Sequence, residues 1–365
     1  MRICFFADLQ NLHVRRLAPA LAARGHTMHI VCHKPRELPD VSVEKFRVPV
    51  PGVLNPRRWY GRRLRYLRGF ADSFDVVSIQ FLSEWGFTPD IVEHGCVIAS
   101  PYGSDIVTPP GEQAPSEELI ASRVSLIRHA AGVTAWGPTF ARMVAEFAGI
   151  DPSRVDLAPL GVDVRLFDPA QYVRSSRDGR YRVGFFKGFR EVYGPVYLIR
   201  AVPIVLKALP DTRFDFAGDG PQLAYCQMLA QELGVQRAIQ WIPRQPHDSV
   251  PRLLSEWDLT VIPSVCEAFG AAALEASCMR VPVVASDVGG LRDTVRDGET
   301  GLLVPPRSPE ALAEAIIALL SDSSRRQRMG EVGREWARTH YEWQHALGQW
   351  EWAFQRALDR AAVMV

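Results

Sequence analysis

The sequence lacks the signatures of several large classes of protein. Its six cysteines form no C-x-x-C pair, which makes a poor zinc or disulfide framework and is typical of a reducing compartment. No apolar run approaches the roughly 18–20 residues that a membrane helix needs. The apolar run Ile3–Ala7 is too short for a signal peptide and ends at Asp8. We therefore expect a soluble, cytoplasmic protein.

The net charge is also small, and lysines are few. With 42 basic and 41 acidic residues the formal charge is +1, which argues against a nucleic-acid binder that acts by overall electrostatic attraction. Lysines occur at four positions, so a lysine in a suggestive place is informative: Lys34, Lys45, Lys187 and Lys207. A hydrophobic content of 47% is that of a packed protein, and 365 residues favour two domains.

Several catalytic motifs are missing as well. The chain contains no H-E-x-x-H, no P-loop, no G-x-S-x-G and no complete G-x-G-x-x-G. It also has no D-x-D, the acidic pair with which many enzymes that use nucleotide sugars hold a divalent metal. The sequence thus gives no support to metal chemistry, and we expect neither a metal nor a cofactor.

Short apolar runs alternate with helical patterns along the chain. In the first half the predicted strands are Arg2–Ala7, Met28–Cys32, Val76–Gln80 and Val97–Ser100, and the predicted helices are Leu12–Ala23, Ser116–Ala131 and Phe140–Phe147. After a polar linker around Asp168–Arg180 come strands Tyr181–Phe186, Arg213–Ala217, Ile239–Ile242, Leu259–Pro263 and Val281–Ser286, with helices Pro195–Ala208, Gln222–Leu233, Val250–Ser255, Gly270–Met279 and Pro309–Ser321. This alternation predicts an α/β protein with two Rossmann-like, doubly wound parallel-sheet domains facing a cleft.

The segment from Pro263 to Ala276 carries the most chemistry. A strand ends at Pro263, a turn holds Glu267, and Phe269-Gly270 opens an alanine-rich helix that contains Glu275. Unpaired N–H groups at a helix start favour anions, and glycine lets a ligand approach the backbone. Carboxylates accept hydrogen bonds from sugar or ribose hydroxyls. Taken singly, each glutamate is more often a solvated surface acid.

The frame around these glutamates resembles a known family. The matching segments are Pro263-Ser264 through Phe269-Gly270 and Glu275, Pro282–Ser286, Gly289-Gly290, Asp297–Val304, Ala217–Pro221, Pro159–Asp163 and Gly103–Asp105. In their order along the chain, these segments are similar to those of retaining glycosyltransferases of family 4 (glycosyl transferases group 1), which have the two-domain GT-B fold. The resemblance implies an acceptor domain over 1–168, a nucleotide-sugar donor domain over 169–340, and a helix over 341–365 that packs back towards the first domain.

The same resemblance implies the roles of the site residues. Glu275 should bind the ribose of a nucleotide sugar and Glu267 the hydroxyls of its hexose, with the N–H groups of Phe269, Gly270 and Ala271 near the sugar and diphosphate. We expect the base pocket near Gly218–Pro221, including Gly218 and Gly220, and near Trp241–Arg244.

Two cations are expected at the diphosphate, although the pattern departs from the family. Phe185 and Tyr193 stand where members often have Arg and Lys. The spacing Lys187-x5-Tyr193-Gly194 is similar to a variant within the family, so Lys187 is the predicted catalytic cation and Arg190 a second one. The alternative for Lys187 is a solvated lysine at a strand end.

Further departures concern a turn and the N-terminal half. Arg280 stands where the family usually has glycine, which predicts a different turn or one without positive φ. Tyr102 replaces a usual histidine before Gly-Ser-Asp105. Asn11 and His13 lie in a loop that lacks the family's glycine pair. The predicted residues on the acceptor or donor side are Asn11, His13, Tyr102 and Asp105.

The segment Arg57–Arg68 holds six arginines among aromatic and leucine residues. Such a stretch docks on anionic lipid surfaces, which would suit a lipid-linked acceptor and a peripheral location at the inner face of the membrane. A solvated arginine-rich helix is an equal alternative. Binding of nucleic acid is not expected, because no second basic patch or recognition motif accompanies it.

These observations predict a retaining glycosyltransferase that moves a hexose from a nucleotide-diphosphate sugar to an acceptor hydroxyl, on a glycan or lipid-linked intermediate of cell-surface polysaccharide or glycolipid synthesis. Two alternatives remain. One is a nucleotide-sugar epimerase on the same architecture. The other is a catalytically silent nucleotide-sugar-binding partner in a glycan assembly complex, since Phe185, Arg280 and Tyr102 replace expected residues.

Overall fold

The computed structural model describes residues 1–46, 73–82, 95–173 and 179–364. Contacts divide the chain into two compact units. The N-terminal unit comprises Met1–Thr108, Gln113–Pro159 and Ala346–Val365, and the C-terminal unit comprises Pro109–Glu112 and Leu160–His345.

The N-terminal unit is built on a seven-stranded sheet of order β3-β2-β1-β4-β5-β6-β7, and every neighbouring pair is parallel. Its strands are β1 (Arg2–Phe6), β2 (Thr27–Cys32), β3 (Val41–Lys45), β4 (Val76–Gln80), β5 (Val97–Ser100), β6 (Gly132–Ala135) and β7 (Val155–Leu157), and its helices include α1 (Leu12–Ala23), α2 (Glu117–His129) and α3 (Pro138–Ala148).

The C-terminal unit has a six-stranded parallel sheet of order β10-β9-β8-β11-β12-β13. Its strands are β8 (Tyr181–Phe185), β9 (Thr212–Ala217), β10 (Ile239–Ile242), β11 (Leu259–Ile262), β12 (Val283–Ser286) and β13 (Gly301–Val304). Its helices are α4 (Pro195–Ala208), α5 (Leu223–Glu232), α6 (Val250–Ser255), α7 (Ala271–Cys278), α8 (Leu291–Thr294), α9 (Pro309–Ser321) and α10 (Ser323–Tyr341), and α11 (Trp343–Met364) follows.

The predicted α/β class is confirmed, and most predicted elements lie within two residues of their observed bounds. The sequence analysis did not name the strands β3, β6, β7 and β13. These strands have three to five residues. So short a run carries little periodicity, and neighbouring strands rather than local sequence fix it.

Burial explains why the central strands read as continuous apolar runs. The C-terminal core contains Phe185, Phe214 and Phe216, all fully buried. A Cβ atom on Gly184 would lie 1.9 Å from the Trp257 ring, so this glycine in β8 lets the indole pack on the strand. Helices on both faces exclude water from such a sheet, which removes the need for polar alternation.

The observed division differs in detail from the predicted boundary at 168. Residues from Leu160 onwards group with the C-terminal unit. The Val162 N–H donates to the Tyr341 carbonyl at 2.7 Å, and the Arg334 guanidinium donates to the Phe167 carbonyl and to Asp168. These hydrogen bonds hold residues 160–168 on the C-terminal unit.

Residues from Ala346 onwards, most of α11, group with the N-terminal unit. There Asp156, whose side chain is 1% exposed, accepts hydrogen bonds from Arg356 and Arg360 on α11. The Trp350 indole donates to the Pro159 carbonyl at 3.0 Å. A buried carboxylate with two guanidinium partners fixes the helix against β7.

Among the described residues, no helix is both long enough and apolar enough to cross a membrane.

Candidate active site

The site begins where the strand order of the C-terminal sheet reverses. Strand β8 lies between β9 and β11, so the chain leaves β8 towards one edge and later returns to fill the other. Ligands of doubly wound sheets bind at the carboxyl ends of strands at such a switch point. Lys187 lies two residues after β8, and the turn with Glu267 follows β11. Because both strands are parallel and adjacent, both segments lie at one edge.

Lys187 and Glu267 form an ion pair at this edge. Their side chains are 11% and 13% exposed. The Ser264 hydroxyl donates to the Glu267 carboxylate at 3.1 Å, and the Lys187 ammonium lies 4.3 Å from the centre of the Tyr193 ring. Burial lowers the pKa of Lys187, but Glu267, Tyr193 and Glu275 raise it, and the net shift is upward. Lys187 is therefore a stable cation at neutral pH.

The glycine pair that follows β12 holds the Glu267 turn in place. The Gly290 N–H donates to the Glu267 carbonyl at 2.8 Å. A Cβ on Gly289 would lie 1.9 Å from the Glu267 carbonyl oxygen, and one on Gly290 would lie 2.4 Å from Ala268 and Phe269 backbone atoms. This close contact between backbones requires both glycines.

Helix α7 begins at the same turn. Gly270 has φ +95° and precedes the helix, and the first intrahelical hydrogen bond runs from the Ala273 N–H to the Gly270 carbonyl. The N–H groups of Gly270 and Ala271 thus stand at the positive end of the helix dipole. The Phe269 side chain is 1% exposed and packs edge-on against the Tyr341 ring, so it anchors the turn in the core.

Glu275 lies in the second turn of α7, and its carboxylate accepts a hydrogen bond from His247. The distance from His247 Nε2 to Glu275 Oε1 is 2.9 Å. His247 follows β10 and packs edge-on against the buried Phe167 ring at 5.4 Å. The sequence analysis did not single out His247, because a lone histidine in a loop carries no pattern.

A cavity of about 470 Å³ lies beside this cluster. Lys187 lines the cavity and contacts Glu267, so one side chain joins the two parts of the site. The other lining residues are Phe186, Gly188, Arg190, Ala217–Pro221, Arg244, Gln245, Val250 and Leu253. The volume lies within the range of cofactor and ligand pockets.

The predicted base pocket is brought together in part. Gly218, Gly220 and Arg244 line the cavity, whereas Trp241 packs against Phe189 and Phe216 and is not among its lining residues. Close backbone contacts also explain why Gly218 and Gly220 are glycines. A Cβ on Gly218 would lie 2.3 Å from the Lys187 carbonyl oxygen, and one on Gly220 would lie 2.6 Å from the Phe189 carbonyl oxygen. The Ala217–Pro221 loop therefore supports the backbone that carries Lys187.

Arg190 also lines the cavity. Its guanidinium pairs with Glu112, a residue that the contact pattern groups with this unit, and its side chain is 52% exposed. The predicted second cation is thus near the cavity but is already partnered by a carboxylate.

Of the four predicted residues in the N-terminal half, Asn11 and His13 follow β1, and Tyr102 and Asp105 follow β5. Asn11 caps α1 by accepting from the His13 N–H at 2.9 Å, and the His13 ring lies 5.9 Å from that of Trp136. The Tyr102 hydroxyl donates to Gln80 at 2.7 Å, and its ring lies 4.7 Å from Trp136. Trp136, which directly follows β6, was not predicted.

Asp105 has an internal role. It is fully buried, and its carboxylate accepts hydrogen bonds from the N–H groups of Leu82, Tyr102 and Gly103. These hydrogen bonds hold the loop after β5, so we assign Asp105 to loop positioning rather than to ligand contact.

The structure corrects one expectation drawn from the departures. Arg280 has φ +59°, so the turn between α7 and β12 keeps a left-handed residue although glycine is absent. The backbone closes this turn, since the Arg280 and Val281 N–H groups donate to Ser277 and Ala276. Phe185, at the other departure, is fully buried in the core. Neither substitution removes the Glu267 turn or α7.

Two expectations have a limited structural basis. The arginine segment Arg57–Arg68 lies outside the described residues. In the described ranges no group of three or more His, Cys, Asp or Glu residues could hold a metal ion. The expectation that the protein uses no metal stays a prediction.

Family models match both halves of the chain. Residues 171–336 match the family described as glycosyl transferases group 1, and residues 10–166 match Glycosyltransferase Family 4. The protein belongs to the group 1 glycosyltransferases. This confirms the family predicted from the Glu267 and Glu275 frame.

The curated relatives of this chain include D-inositol 3-phosphate glycosyltransferases. The one from Corynebacterium glutamicum is 35% identical over 213 residues, which cover 54% of this chain and 51% of the relative. The chain spans about half the length of the first curated relatives it matches.

Solved structures confirm the GT-B fold of this chain. A sucrose-phosphate synthase from Thermosynechococcus elongatus is 20% identical with a TM-score of 0.78, covering 98% of both chains. Anabaena HepE in complex with UDP-glucose is 19% identical with a TM-score of 0.74, covering 96% of this chain and 98% of HepE.

Proposed function

We propose that this glycosyltransferase moves a hexose from a nucleotide-diphosphate sugar to an acceptor hydroxyl with retention of anomeric configuration. The observation that carries the proposal is the Lys187–Glu267 ion pair at the switch point, beside both Glu275 and the start of α7. A cation, a helix N-terminus and two carboxylates are the groups that a diphosphate and a set of sugar hydroxyls require.

In this proposal Lys187 stabilises the departing diphosphate. Negative charge develops on the leaving oxygen as the glycosidic bond breaks, and a preorganised cation lowers the barrier most where water is excluded. The upward shift of its pKa keeps the Lys187 ammonium charged for this purpose. The N–H groups of Gly270 and Ala271 add the positive end of the α7 dipole.

Glu267 and Glu275 orient the donor. Glu267 accepts hydrogen bonds from hexose hydroxyls and Glu275 from the ribose, which places the anomeric carbon next to Lys187. The acceptor hydroxyl attacks from the face that the leaving group vacates, and the departing diphosphate takes its proton. This same-face displacement needs no covalent nucleophile and retains configuration.

The donor base and the acceptor follow from similarity. HepE has been solved with UDP-glucose, so we propose UDP-sugars as the first donors. For the acceptor we propose a glycan or lipid-linked intermediate, with Arg57–Arg68 contacting the membrane surface. The relatives named for D-inositol 3-phosphate add a phosphorylated polyol to the acceptors to be tested.

The test is a transfer assay on the purified protein with UDP-, GDP-, ADP- and TDP-hexoses and with D-inositol 3-phosphate and lipid-linked glycans as acceptors. Proton NMR of the product reports the anomeric configuration. We expect transfer with retention, and loss of transfer in Glu275→Ala. Donor turnover at full rate without acceptor would favour the epimerase, and donor binding without any turnover would favour the silent partner.

A further inference from the structure

We propose that His247 is a positioning residue for Glu275, holding one carboxylate oxygen so that the other faces the ribose of the donor. This proposal rests on the proposed function, because it deepens the role of the same donor site. Its basis is the 2.9 Å hydrogen bond between His247 Nε2 and Glu275 Oε1.

The chemistry of the two groups fixes the direction of this hydrogen bond. An ionised carboxylate only accepts, so His247 Nε2 carries the proton and donates. Among the described residues, His247 is the one side chain whose hydrogen bond to the Glu275 carboxylate the structure resolves. The contact occupies Oε1 and leaves Oε2 for a ligand hydroxyl.

The burial of the pair gives the hydrogen bond its strength. The side chains of His247 and Glu275 are 18% and 14% exposed, so water competes weakly for either group. Glu275 lies on a helix, and its side chain has three rotatable bonds. Holding it in one rotamer before the ligand arrives removes part of the entropy cost of binding.

A chain of contacts holds His247 in turn. Its ring packs edge-on against Phe167, which is fully buried. The turn before Phe167 is fixed by Asp163, whose carboxylate accepts from the Arg165 and Leu166 N–H groups and whose carbonyl accepts from the Phe167 N–H. Asp163, the last residue of the Pro159–Asp163 motif, therefore supports the donor site through Phe167 and His247.

The charges around Lys187 are compatible with a hydrogen bond from His247 to Glu275. Glu275 contributes to the raised pKa of Lys187, so its charge is part of the balance around the ammonium. The hydrogen bond from His247 Nε2 holds one oxygen of the Glu275 carboxylate. Glu275 thus remains an acceptor for a hydroxyl.

The experiment measures binding by calorimetry with UDP, GDP and ADP and with their 2′-deoxy and 3′-deoxy forms. We expect His247→Ala to weaken the preferred ribonucleotide roughly tenfold, the worth of a hydrogen bond to a charged group. One of the deoxy forms lacks the hydroxyl that Glu275 binds. Its affinity should change less than about twofold in His247→Ala, since Glu275 then has no ribose hydroxyl to bind. The donor KM should rise with kcat nearly unchanged.

Three further variants test the proposal. His247→Gln, whose amide can donate from a similar place, should restore most of the affinity. His340→Ala is the matched control in the same unit, because the His340 ring bonds the carbonyl of Trp336 on its own helix. In a Glu275→Ala background the effect of His247→Ala should vanish.

The outcomes separate this inference from the proposed function. Equal weakening of ribo and deoxy forms, or no weakening, overturns the positioning role while donor binding still stands. A wild-type protein that binds all three forms of a nucleotide equally also overturns it. A wild-type protein that binds no nucleoside diphosphate and transfers no sugar overturns both.

Discussion

The Lys187 ammonium pairs with the Glu267 carboxylate although 80 residues separate them in the chain. Each follows one of two adjacent parallel strands, β8 and β11, at the point where the strand order reverses. In the function that we propose, the diphosphate of the donor is a second anionic partner for the Lys187 ammonium. We therefore expect a bound donor, which brings two negative charges, to compete with Glu267 for the Lys187 ammonium.

Lys187→Met is expected to lower the transfer rate by about 10²–10³-fold, since it removes a charge aimed at the leaving group. Single-turnover rates with saturating donor measure the effect. Lys207→Met is the matched control, because Lys207 lies exposed in the last turn of α4. Equal rates in wild type and Lys187→Met would reject the assignment.

The raised pKa of Lys187 predicts how the ion pair contributes to stability at high pH. A lysine whose folded pKa lies above its unfolded value of about 10.4 stabilises the fold fully below that value, and the contribution is lost as pH rises through the folded pKa. The difference in melting temperature between wild type and Lys187→Met should therefore stay constant up to about pH 10 and shrink above it. A difference that already shrinks near pH 8 would show a lowered pKa instead.

Arg280→Gly should stabilise the protein. A non-glycine residue with φ +59° costs about 1–2 kcal/mol, and glycine relieves it. The flexibility of glycine in the unfolded chain and the loss of the exposed Arg280–Glu331 ion pair offset part of this gain. We expect a net gain of roughly 0.5–1 kcal/mol, seen as a higher urea midpoint. Arg280→Ala keeps the strain and should be no more stable than wild type.

Gly290→Ala should damage the site more than the fold. Gly290 has φ −67°, which alanine adopts freely, but the added Cβ would lie 2.4 Å from Ala268 and Phe269 backbone atoms and would displace the Glu267 turn. We expect at least a roughly tenfold loss of kcat with a folded circular dichroism spectrum.

Gly298→Ala is the opposite case and serves as the control. Its φ is +77° with nothing within 4 Å of the new Cβ, so it strains the backbone without touching the site. It should melt earlier than wild type yet keep its activity per folded molecule. Equal activity losses in both variants would show that the Gly290 effect is a general loss of stability.

Local sequence predicted much of this fold. The observed bounds of the helices α1, α4 and α9 equal the predicted ones, because each has a clear apolar period and a boundary residue such as Gly25, Gly194 or Pro309. The alternation of predicted strands and helices then implied two doubly wound parallel sheets. The glutamates of the Pro263–Ala276 segment lie on a turn and a helix as predicted, since strand, turn and helix there follow one another within 14 residues.

Only the tertiary structure decided which distant groups meet. The sequence named Lys187 and Glu267 separately, and the sheet order placed them in contact. His247 carried no pattern of its own, and the role that we propose for it follows from its contacts with Phe167 and Glu275.

The left-handed backbone conformation of Arg280 is likewise unfavourable for a residue other than glycine, and the hydrogen bonds of the surrounding turn hold it. Propensity and periodicity are short-range properties of the chain, so the sequence by itself determined the elements and their class. The site depends on contacts between residues that follow different strands. These contacts form where the sheet brings the carboxyl ends of its strands together, and their energies exceed the local conformational preferences of the residues.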